Sequence, residues 1–543
     1  MRASLSTKKP GKQHLNGWLP QQRPGHPPSA AHIAAAAVAV LAVLCCCIYG
    51  VRTFRLHLLV QNVLDSPITE PQGHLVLHAQ QHAANEMLLR QLVEECAKQQ
   101  QSVIHLDSQR RMVTSSSINP QHCPALDVVL PASERVFGTC TDAALYVIHV
   151  GGRLIPLPPD VEAYDNYCGA QTARLFLDTI HPQMISKHKR VLHMQLVKPS
   201  ALKPQDAPLH ARMQAFLCKT RHCTSLMQQH VVKHGYWASV WHMGLGSSDA
   251  TVGTSGDVIS AVQASLSPGN PQGFALHVRS LKPKQTKAVL DCWAKHLELL
   301  PLVVVGQPAV EELTAAARSA ANIIYQPPLA AAAAAAAAPG AAAVDSAKLK
   351  SLQAAAALHV IPALNEGSLH AINEARAVGA LIVTTGQPPM SELVAADQGV
   401  LVPAVPAGSG LASALSSSNA ASNAASNAAS SASLDAYVSP GALCSAVHQA
   451  LSLPPAAAAA KRAAAAAAYK ADQAAFVRRA AQLRAHLQAR SAEAAGTAAA
   501  SPAAEAAAAS LARAAGGGAA AAAAGADSSR AQAALGRKVG PVQ

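Results

Sequence analysis

The sequence predicts an α/β protein with two domains of alternating strands and helices, one N-terminal transmembrane helix, and disordered Ala-rich insertions and tail. Three observations support this. Short apolar runs alternate with helical stretches, one uncharged apolar segment lies near the N-terminus, and Ala, Ser and Gly tracts fill the C-terminal third. The 543 residues are too many for one core. Without the tracts, roughly 350 residues remain to form ordered structure, enough for two domains.

The composition argues against several classes of protein. Ala supplies much of the 50% apolar content, which is therefore no evidence of many membrane spans. The net charge of +13 is scattered without a dense basic block, so nucleic-acid binding is not expected and a surface facing anionic ligands or lipids is favoured. The eleven cysteines include no CxxC pair, so no structural zinc site is predicted. Cys218 and Cys223 are close in sequence, but each has many possible disulfide partners.

Residues 33–51 are predicted to be a transmembrane signal anchor. These 19 residues carry no charge, and as a helix they would span about 28 Å, the thickness of a bilayer core. Residues 1–32 contain Lys and Arg but no acid, which favours a basic cytosolic tail. The prediction is a single-pass type II membrane protein of the Golgi or ER, with its bulk in the lumen. An Ala-rich transit peptide is the alternative.

The first domain is predicted over residues 73–245, after a stem over 52–72. Its short apolar runs indicate strands, and the stretches between them indicate helices around 86–99, in the 170s and over 222–234. The predicted strands are His74–His78, Ser102–Leu106, Leu126–Leu130, Leu145–Val150, Val191–Leu196 and Trp237–His242.

A linker rich in Gly, Ser and Pro is predicted over 246–272, followed by a second domain over 273–453. This domain alternates more regularly, which indicates a nucleotide-type Rossmann-like domain, although it lacks a GxGxxG motif. Its predicted strands are Phe274–Val278, Leu302–Val305, Asn322–Tyr325, Leu358–Ile361, Ala380–Thr384 and Val400–Val402. Low-complexity insertions are expected at 330–343 and 404–434, and an Ala-rich helix and disordered tail over 454–543.

The residues most informative about function lie between His359 and Val394. Glu366 precedes a predicted helix, and Glu374 lies inside it. Eight helical steps separate two positions by about 80°, so both carboxylates can face one cleft. Gly367 allows a ligand to approach the backbone closely, and a helix N-terminus attracts an anion such as a diphosphate. The spacing alone also fits a capping glutamate followed by a solvated one.

The wider pattern resembles the donor-binding segment of retaining glycosyltransferases of family 4 (glycosyl transferases group 1), which have the two-domain GT-B fold. The resemblance covers roughly residues 190–403 and is strongest over 358–403, in a form similar to a fungal and algal branch of the family. The matching segments are Glu366-Gly367, Glu374-Ala375, Pro389-Met390-Ser391-Glu392-Leu393-Val394, Phe216–Arg221 and Val240–Asp249.

The resemblance implies an enzyme that moves a sugar from a nucleotide-sugar donor to an unidentified glycan, lipid or protein acceptor, with retention at the anomeric carbon. No cofactor and no metal are expected, since the sequence lacks the D-x-D motif of GT-A enzymes. The implied roles all concern the donor: Arg279 and Lys284 bind the diphosphate, Glu366 orients the sugar, Glu374 binds the ribose, and Gly367 and His370 make further contacts.

The sequence departs from the family pattern at Ser368, Leu369 and Gly386, where the branch has an aromatic residue, a glycine and an acid. These departures motivate a second hypothesis, a non-catalytic GT-B-like membrane protein that binds a glycan or another partner. A third hypothesis, a nucleic-acid binder, rests on charge alone.

Overall fold

The structure is a computed structural model, and all of its described residues belong to one compact unit, His74–Gln543. It describes residues 75–98, 102–115, 123–135, 137–157, 172–185, 192–197, 204–270, 272–278, 285–306, 314–326, 346–363, 369–406 and 436–516. Within these ranges no helix combines the length and apolarity needed to cross a membrane. The predicted cytosolic tail, transmembrane segment, stem and 330–343 insertion all lie outside the described ranges.

The first domain is built on an eight-stranded sheet with the order β2-β1-β4-β3-β5-β6-β7-β8. Strands β3 to β8 are paired in parallel, while β1 is antiparallel to both of its neighbours. The strands are β1 (Val103–Leu106), β2 (Met112–Ser115), β3 (Leu126–Val129), β4 (Arg153–Ile155), β5 (Ala173–Leu177), β6 (His193–Leu196), β7 (Ala215–Cys218) and β8 (Ser239–His242). The helices are α1 (Leu75–Ala97), α2 (Phe137–Val150), α3 (Ala207–His210) and α4 (Arg221–His234).

Three predictions for the first domain are wrong. Residues 74–78 and 145–150, predicted as strands, fall in α1 and α2 apart from His74, which is not described. Helix α2 is buried along nearly all of its second half, and a helix buried on all sides shows no apolar stripe by which to tell it from a strand. Conversely, the 170s contain strand β5, whose five residues are all buried. A central parallel strand reads as a continuous apolar run because helices cover both of its faces.

The second domain is built on a six-stranded parallel sheet with the order β11-β10-β9-β12-β13-β14. Its strands are β9 (Ala275–Val278), β10 (Leu302–Val305), β11 (Ile323–Gln326), β12 (Leu358–Ile361), β13 (Leu381–Thr385) and β14 (Val400–Val402). Its helices are α5 (Gly256–Leu266), α6 (Thr286–Lys295), α7 (Ala315–Ser319), α8 (Ser346–Ala355), α9 (Leu369–Ala377), α10 (Met390–Leu393) and α11 (Pro440–Leu451). The prediction of an α/β protein with parallel sheets is confirmed.

Helix α5 lies inside the segment 246–272 that was predicted as the linker. The Ser255 side chain caps the helix by accepting a hydrogen bond from the Val258 amide. The helix packs its apolar face on the second domain, and the Gln263 amide donates to the Ala355 carbonyl at 2.9 Å. The Gly, Ser and Pro content of this segment comes largely from residues on either side of the helix.

The insertion predicted over 404–434 contains β15 (Val405–Pro406), which pairs antiparallel with β16 (Ala436–Tyr437), just after the insertion. The residues between these strands lie outside the described ranges. Three disulfides are present among the described residues: Cys96–Cys140 joins α1 to α2, Cys218–Cys223 joins β7 to α4, and Cys292–Cys444 joins α6 to α11.

The last helix, α12 (Pro455–Gly516), returns to the first domain. Its apolar residues Phe476, Leu483 and Leu487 are buried in the same core as α2. The ring of Phe476 meets the Tyr146 ring edge-on, with centroids 6.2 Å apart. The helix therefore closes the first domain, although it follows the second domain in sequence.

Replacing Phe476 with alanine should destabilise the protein. The side chain is 2% exposed, and truncating a buried phenylalanine typically costs about 3–5 kcal/mol. Urea unfolding measures the loss. The neighbouring Val477 is 38% exposed on the same helix, so Val477→Ala is the matched control and should change the free energy of unfolding by well under half as much. Equal effects of the two substitutions would contradict docking of α12 through Phe476.

Candidate functional site

The segment that follows β7 touches the second domain directly. Thr220 caps helix α4, whose first backbone amides point toward α10. The Glu392 carboxylate accepts hydrogen bonds from the amides of Arg221 and His222, at 2.7 and 2.6 Å. A helix N-terminus carries partial positive charge, which favours a carboxylate there. Two of the segments that carry the family resemblance, far apart in sequence, are therefore joined by this contact.

A second contact links the same segment to helix α9. Lys219 donates to one Asp142 carboxylate oxygen at 2.5 Å, and the His370 ring nitrogen Nε2 lies 2.9 Å from the other. The Lys219 and Asp142 side chains are each 7% exposed. The bridge thus joins β7, α2 and the N-terminus of α9, and it is largely removed from solvent.

Asp142 determines which His370 nitrogen carries the proton in the neutral ring. A carboxylate only accepts hydrogen bonds, so the His370 proton lies on Nε2. In the neutral ring, Nδ1 is then an acceptor. This atom is buried and has no hydrogen-bond partner among the described residues. A bound molecule could reach this atom only if the residues around it moved.

Glu374 is buried in the contact between the two domains. Its two carboxylate oxygens accept hydrogen bonds from the Ser248 hydroxyl at 3.2 Å and the Gln353 amide at 2.5 Å. The side chain thus joins α9 to α8 and to residues 243–249, the connector that follows β8. Each oxygen can accept a second hydrogen bond, but the residue is only 4% exposed, so a nucleotide ribose could reach this carboxylate only if the residues around it moved. Ribose binding by Glu374 stays a prediction.

Buried charges extend this network to helix α1. The Glu86 carboxylate accepts from the Asp249 amide at 2.9 Å and from the Lys350 ammonium at 3.1 Å. Burial raises the pKa of Glu86 and lowers the pKa of Lys350, since each loses its hydration. The hydrogen bond that His82 donates to the Asp249 carboxylate raises the pKa of His82.

Two glycines of the connector are required by its path. Gly244 has φ of +75°, a conformation that side chains other than glycine rarely adopt. A Cβ atom on Gly246 would lie 2.7 Å from the Phe476 ring, too close for any other residue. These contacts give a physical reason for the Gly-Leu-Gly sequence in the segment 240–249 that resembles the family.

Four of the predicted site residues lie outside the described residues: Arg279, Lys284, Glu366 and Gly367. Their roles stay predictions. The strands that precede them, β9 and β12, are adjacent and parallel. Their carboxyl ends therefore lie at one edge of the sheet, the edge at which open α/β sheets bind ligands.

The structure describes two of the residues that depart from the family pattern, Leu369 and Gly386. Leu369 is buried in an apolar cluster with Leu245 and Met390, so its side chain packs into the protein. At Gly386, a Cβ atom would come within 3.1 Å of the Val402 carbonyl oxygen. A larger residue at this position would require a shift of the adjacent strand.

Sequence reasoning did not identify Asp142 or Gln353 as site residues. Asp142 lies three residues before the segment 145–150 that was predicted as a strand, and Gln353 directly precedes a run of four alanines. Neither is part of a spaced motif. Only the packing of α2 and α8 brings them to the residues they contact.

The chain is similar to several solved structures of glycosyltransferases and sugar-phosphate synthases. Sucrose-phosphate synthase from Thermosynechococcus elongatus is 12% identical, with a TM-score of 0.47 over 67% of this chain and 99% of that one. HepE from Anabaena, solved in complex with UDP and glucose, is 12% identical, with a TM-score of 0.43 over 66% of this chain and 98% of that one. The pneumococcal O-GlcNAc transferase GtfA, solved with UDP and GlcNAc, is 11% identical, with a TM-score of 0.40.

The GtfA match covers 59% of this chain and 57% of GtfA. No protein-family model matches the sequence, and no curated protein matches it significantly. At these identities the similarity concerns the fold and not the chemistry of the site.

Removing the Glu374 carboxylate should destabilise the fold. Glu374→Ala leaves the Ser248 hydroxyl and the Gln353 amide buried without this acceptor, which costs about 1–3 kcal/mol for each unsatisfied group. Chemical denaturation measures the change. Asp397→Ala, at an exposed carboxylate that takes no part in these contacts, is the control and should be neutral. An unchanged unfolding midpoint for Glu374→Ala would show that the hydrogen bonds to Glu374 do not hold the domains together.

Proposed function

We propose that the protein is a nucleotide-sugar-dependent glycosyltransferase of the GT-B type, similar to the retaining enzymes of family 4 and to their fungal and algal branch. The observation that carries the proposal is the meeting of the segments that resemble this family. Glu392 contacts the amides of Arg221 and His222 across 171 and 170 residues of sequence, and Ser248 contacts Glu374 across 126.

The donor is proposed to lie at the carboxyl edge of the second sheet. Arg279 and Lys284 follow β9 and would neutralise the diphosphate, which stabilises the leaving group without a metal ion. Glu366 and Gly367 precede α9, whose N-terminus favours an anion, and would place the sugar. Transfer would proceed with retention, and no protein nucleophile is assigned. The acceptor would be held by the first domain.

His370 is proposed to contact the transferred sugar. Donor binding would expose its Nδ1 atom, which then accepts a hydrogen bond from a sugar hydroxyl, while Asp142 holds the ring in the required tautomer and orientation. Lys219 compensates the charge of Asp142, so the buried carboxylate does not need a proton of its own. Asp142 and Lys219 are positioning residues in this scheme, because they act through His370.

A second candidate function is that of a non-catalytic GT-B-like protein that binds a glycan or another partner. The specific observation in its favour is Glu374, whose two oxygens already accept hydrogen bonds within the protein. A protein of this kind would not bind nucleotide-sugars, so binding of these donors separates the two functions.

Binding of nucleotide-sugars should raise the melting temperature of the protein. A ligand at 100 times its dissociation constant stabilises the native state by about 2.7 kcal/mol. His370→Ala should weaken binding by about 2- to 10-fold, since it removes one hydrogen bond. His222→Ala is the control, because only the backbone amide of His222 contacts Glu392. If no nucleotide-sugar changes the melting temperature, the non-catalytic function is favoured.

The protein is also proposed to be a type II membrane protein with its enzymatic region in the lumen of the Golgi or ER. Supporting this are the uncharged segment 33–51 and three disulfides among the described residues, since disulfides persist in oxidising compartments.

Protease added to sealed microsomes should leave residues 56–543 intact, because the membrane would separate them from the protease. Immunoblotting with an antibody to the C-terminal region measures their survival, and detergent provides the control, since it should make the same residues accessible. Digestion without detergent would exclude the lumenal orientation.

A further inference from the structure

The second domain contains the sequence Cys-x3-His twice, on two helices that pack together. Cys292 and His296 lie at the C-terminal end of α6, and Cys444 and His448 lie in α11. Residues four apart in a helix share one face, one turn apart. The two cysteines are separated by 152 residues, and so are the two histidines, so each helix presents the same pair to the other.

Candidate ligand atoms from three of these residues lie close together, and Cys292 is bonded to one of the three, Cys444. The Cys292 and Cys444 sulfurs are bonded, with Cα atoms 5.5 Å apart. His448 Nε2 lies 3.3 Å from His296 Nδ1. Ligand atoms from His296, Cys444 and His448 all lie within 4.8 Å of one another. Around a tetrahedral zinc ion, with bonds of about 2.0–2.3 Å, ligand atoms are about 3.3–3.8 Å apart. The two ring nitrogens already have this spacing.

We propose that Cys292, His296, Cys444 and His448 form a structural zinc site in the thiol form of the protein. Two thiolates and two neutral imidazoles are a common ligand set for structural zinc, and the two negative charges balance the charge of the ion. The His296 side chain is 36% exposed, which leaves a path for the metal to enter. The absence of CxxC pairs does not exclude zinc here, because each ligand pair comes from a Cys-x3-His turn.

The disulfide in the structure is the oxidised, metal-free form of the same cysteine pair. A dithiol reductant breaks the sulfur–sulfur bond by supplying two electrons and two protons, and it becomes a disulfide itself. Zinc then displaces the two thiol protons. In the metal-free form, a protonated His296 Nδ1 can donate hydrogen bonds to His448 Nε2 and to the Glu298 carboxylate, which lies 3.0 Å away. The metal would replace this proton.

Either form would clamp helix α11 to helix α6. The clamp closes a loop of 152 residues that contains most of the second sheet and both predicted insertions. A metal that binds only the folded chain contributes its binding free energy to folding. The site would therefore hold the donor-binding domain closed under conditions in which the disulfide is reduced.

The test is the metal content of the full-length protein, produced in a reducing cytosol with zinc in the medium. One zinc ion per chain is expected. His296→Ala/His448→Ala should lower zinc affinity by more than about 100-fold, because even residues behind the ligands contribute 10- to 100-fold. Cys96→Ser/Cys140→Ser is the matched control. It removes a different buried disulfide, whose cysteines are not among the proposed ligands, so this variant should keep its zinc.

Cobalt substitution gives a second measurement on the unmutated protein. Cobalt in this site should show the intense visible absorption of tetrahedral thiolate coordination, and zinc should displace it. The proposal is overturned if the reduced protein holds no stoichiometric metal, or if the double histidine variant binds zinc as tightly as the parent. Loss of nucleotide-sugar binding would not affect this result, because neither measurement depends on activity.

Discussion

The hydrogen bonds of Ser248 and Gln353 to the buried Glu374 carboxylate hold the connector, residues 243–249, against helix α9. This contact sets the relation between the two sheets, because the connector follows the last strand of the first domain and α9 borders the proposed donor site. Asn373 strengthens it by donating to the Leu245 carbonyl at 3.3 Å. If this contact shifted, Lys219 and His370 could no longer share the Asp142 carboxylate.

The charged groups around the connector contribute to geometry more than to net stability. The Glu86–Lys350 pair is almost fully buried, and the cost of removing both charges from water offsets much of their attraction. Loss of one partner would nevertheless leave a buried charge uncompensated. The pair thus favours one arrangement of α1, α8 and the connector over alternatives. Arg376 plays a similar part, since it donates to Asp472 of α12 at 2.7 Å.

The last helix, α12, packs against the connector. Phe476 fills the space that Gly246 leaves open, and the Tyr469 hydroxyl donates to the Ser247 carbonyl at 3.4 Å. The first domain therefore lacks part of its core until the end of the chain is in place. Because the helix contacts the connector as well as α2, folding of the first domain and placement of α9 are coupled.

The sequence by itself determined the α/β class, the parallel pattern of the second domain and the segments of family resemblance. These depend on local signals: apolar strands of four or five residues separated by helices, and short motifs such as Leu-Cys-Lys-Thr-Arg. The tertiary structure decided the remainder. It placed α2 where a strand was predicted, because burial on all sides hides helical periodicity. It also brought Asp142 to His370 and Ser248 to Glu374 across more than a hundred residues of chain, and Gln353 to Glu374 across 21. Such contacts depend on how helices pack and leave no periodic signal in the sequence.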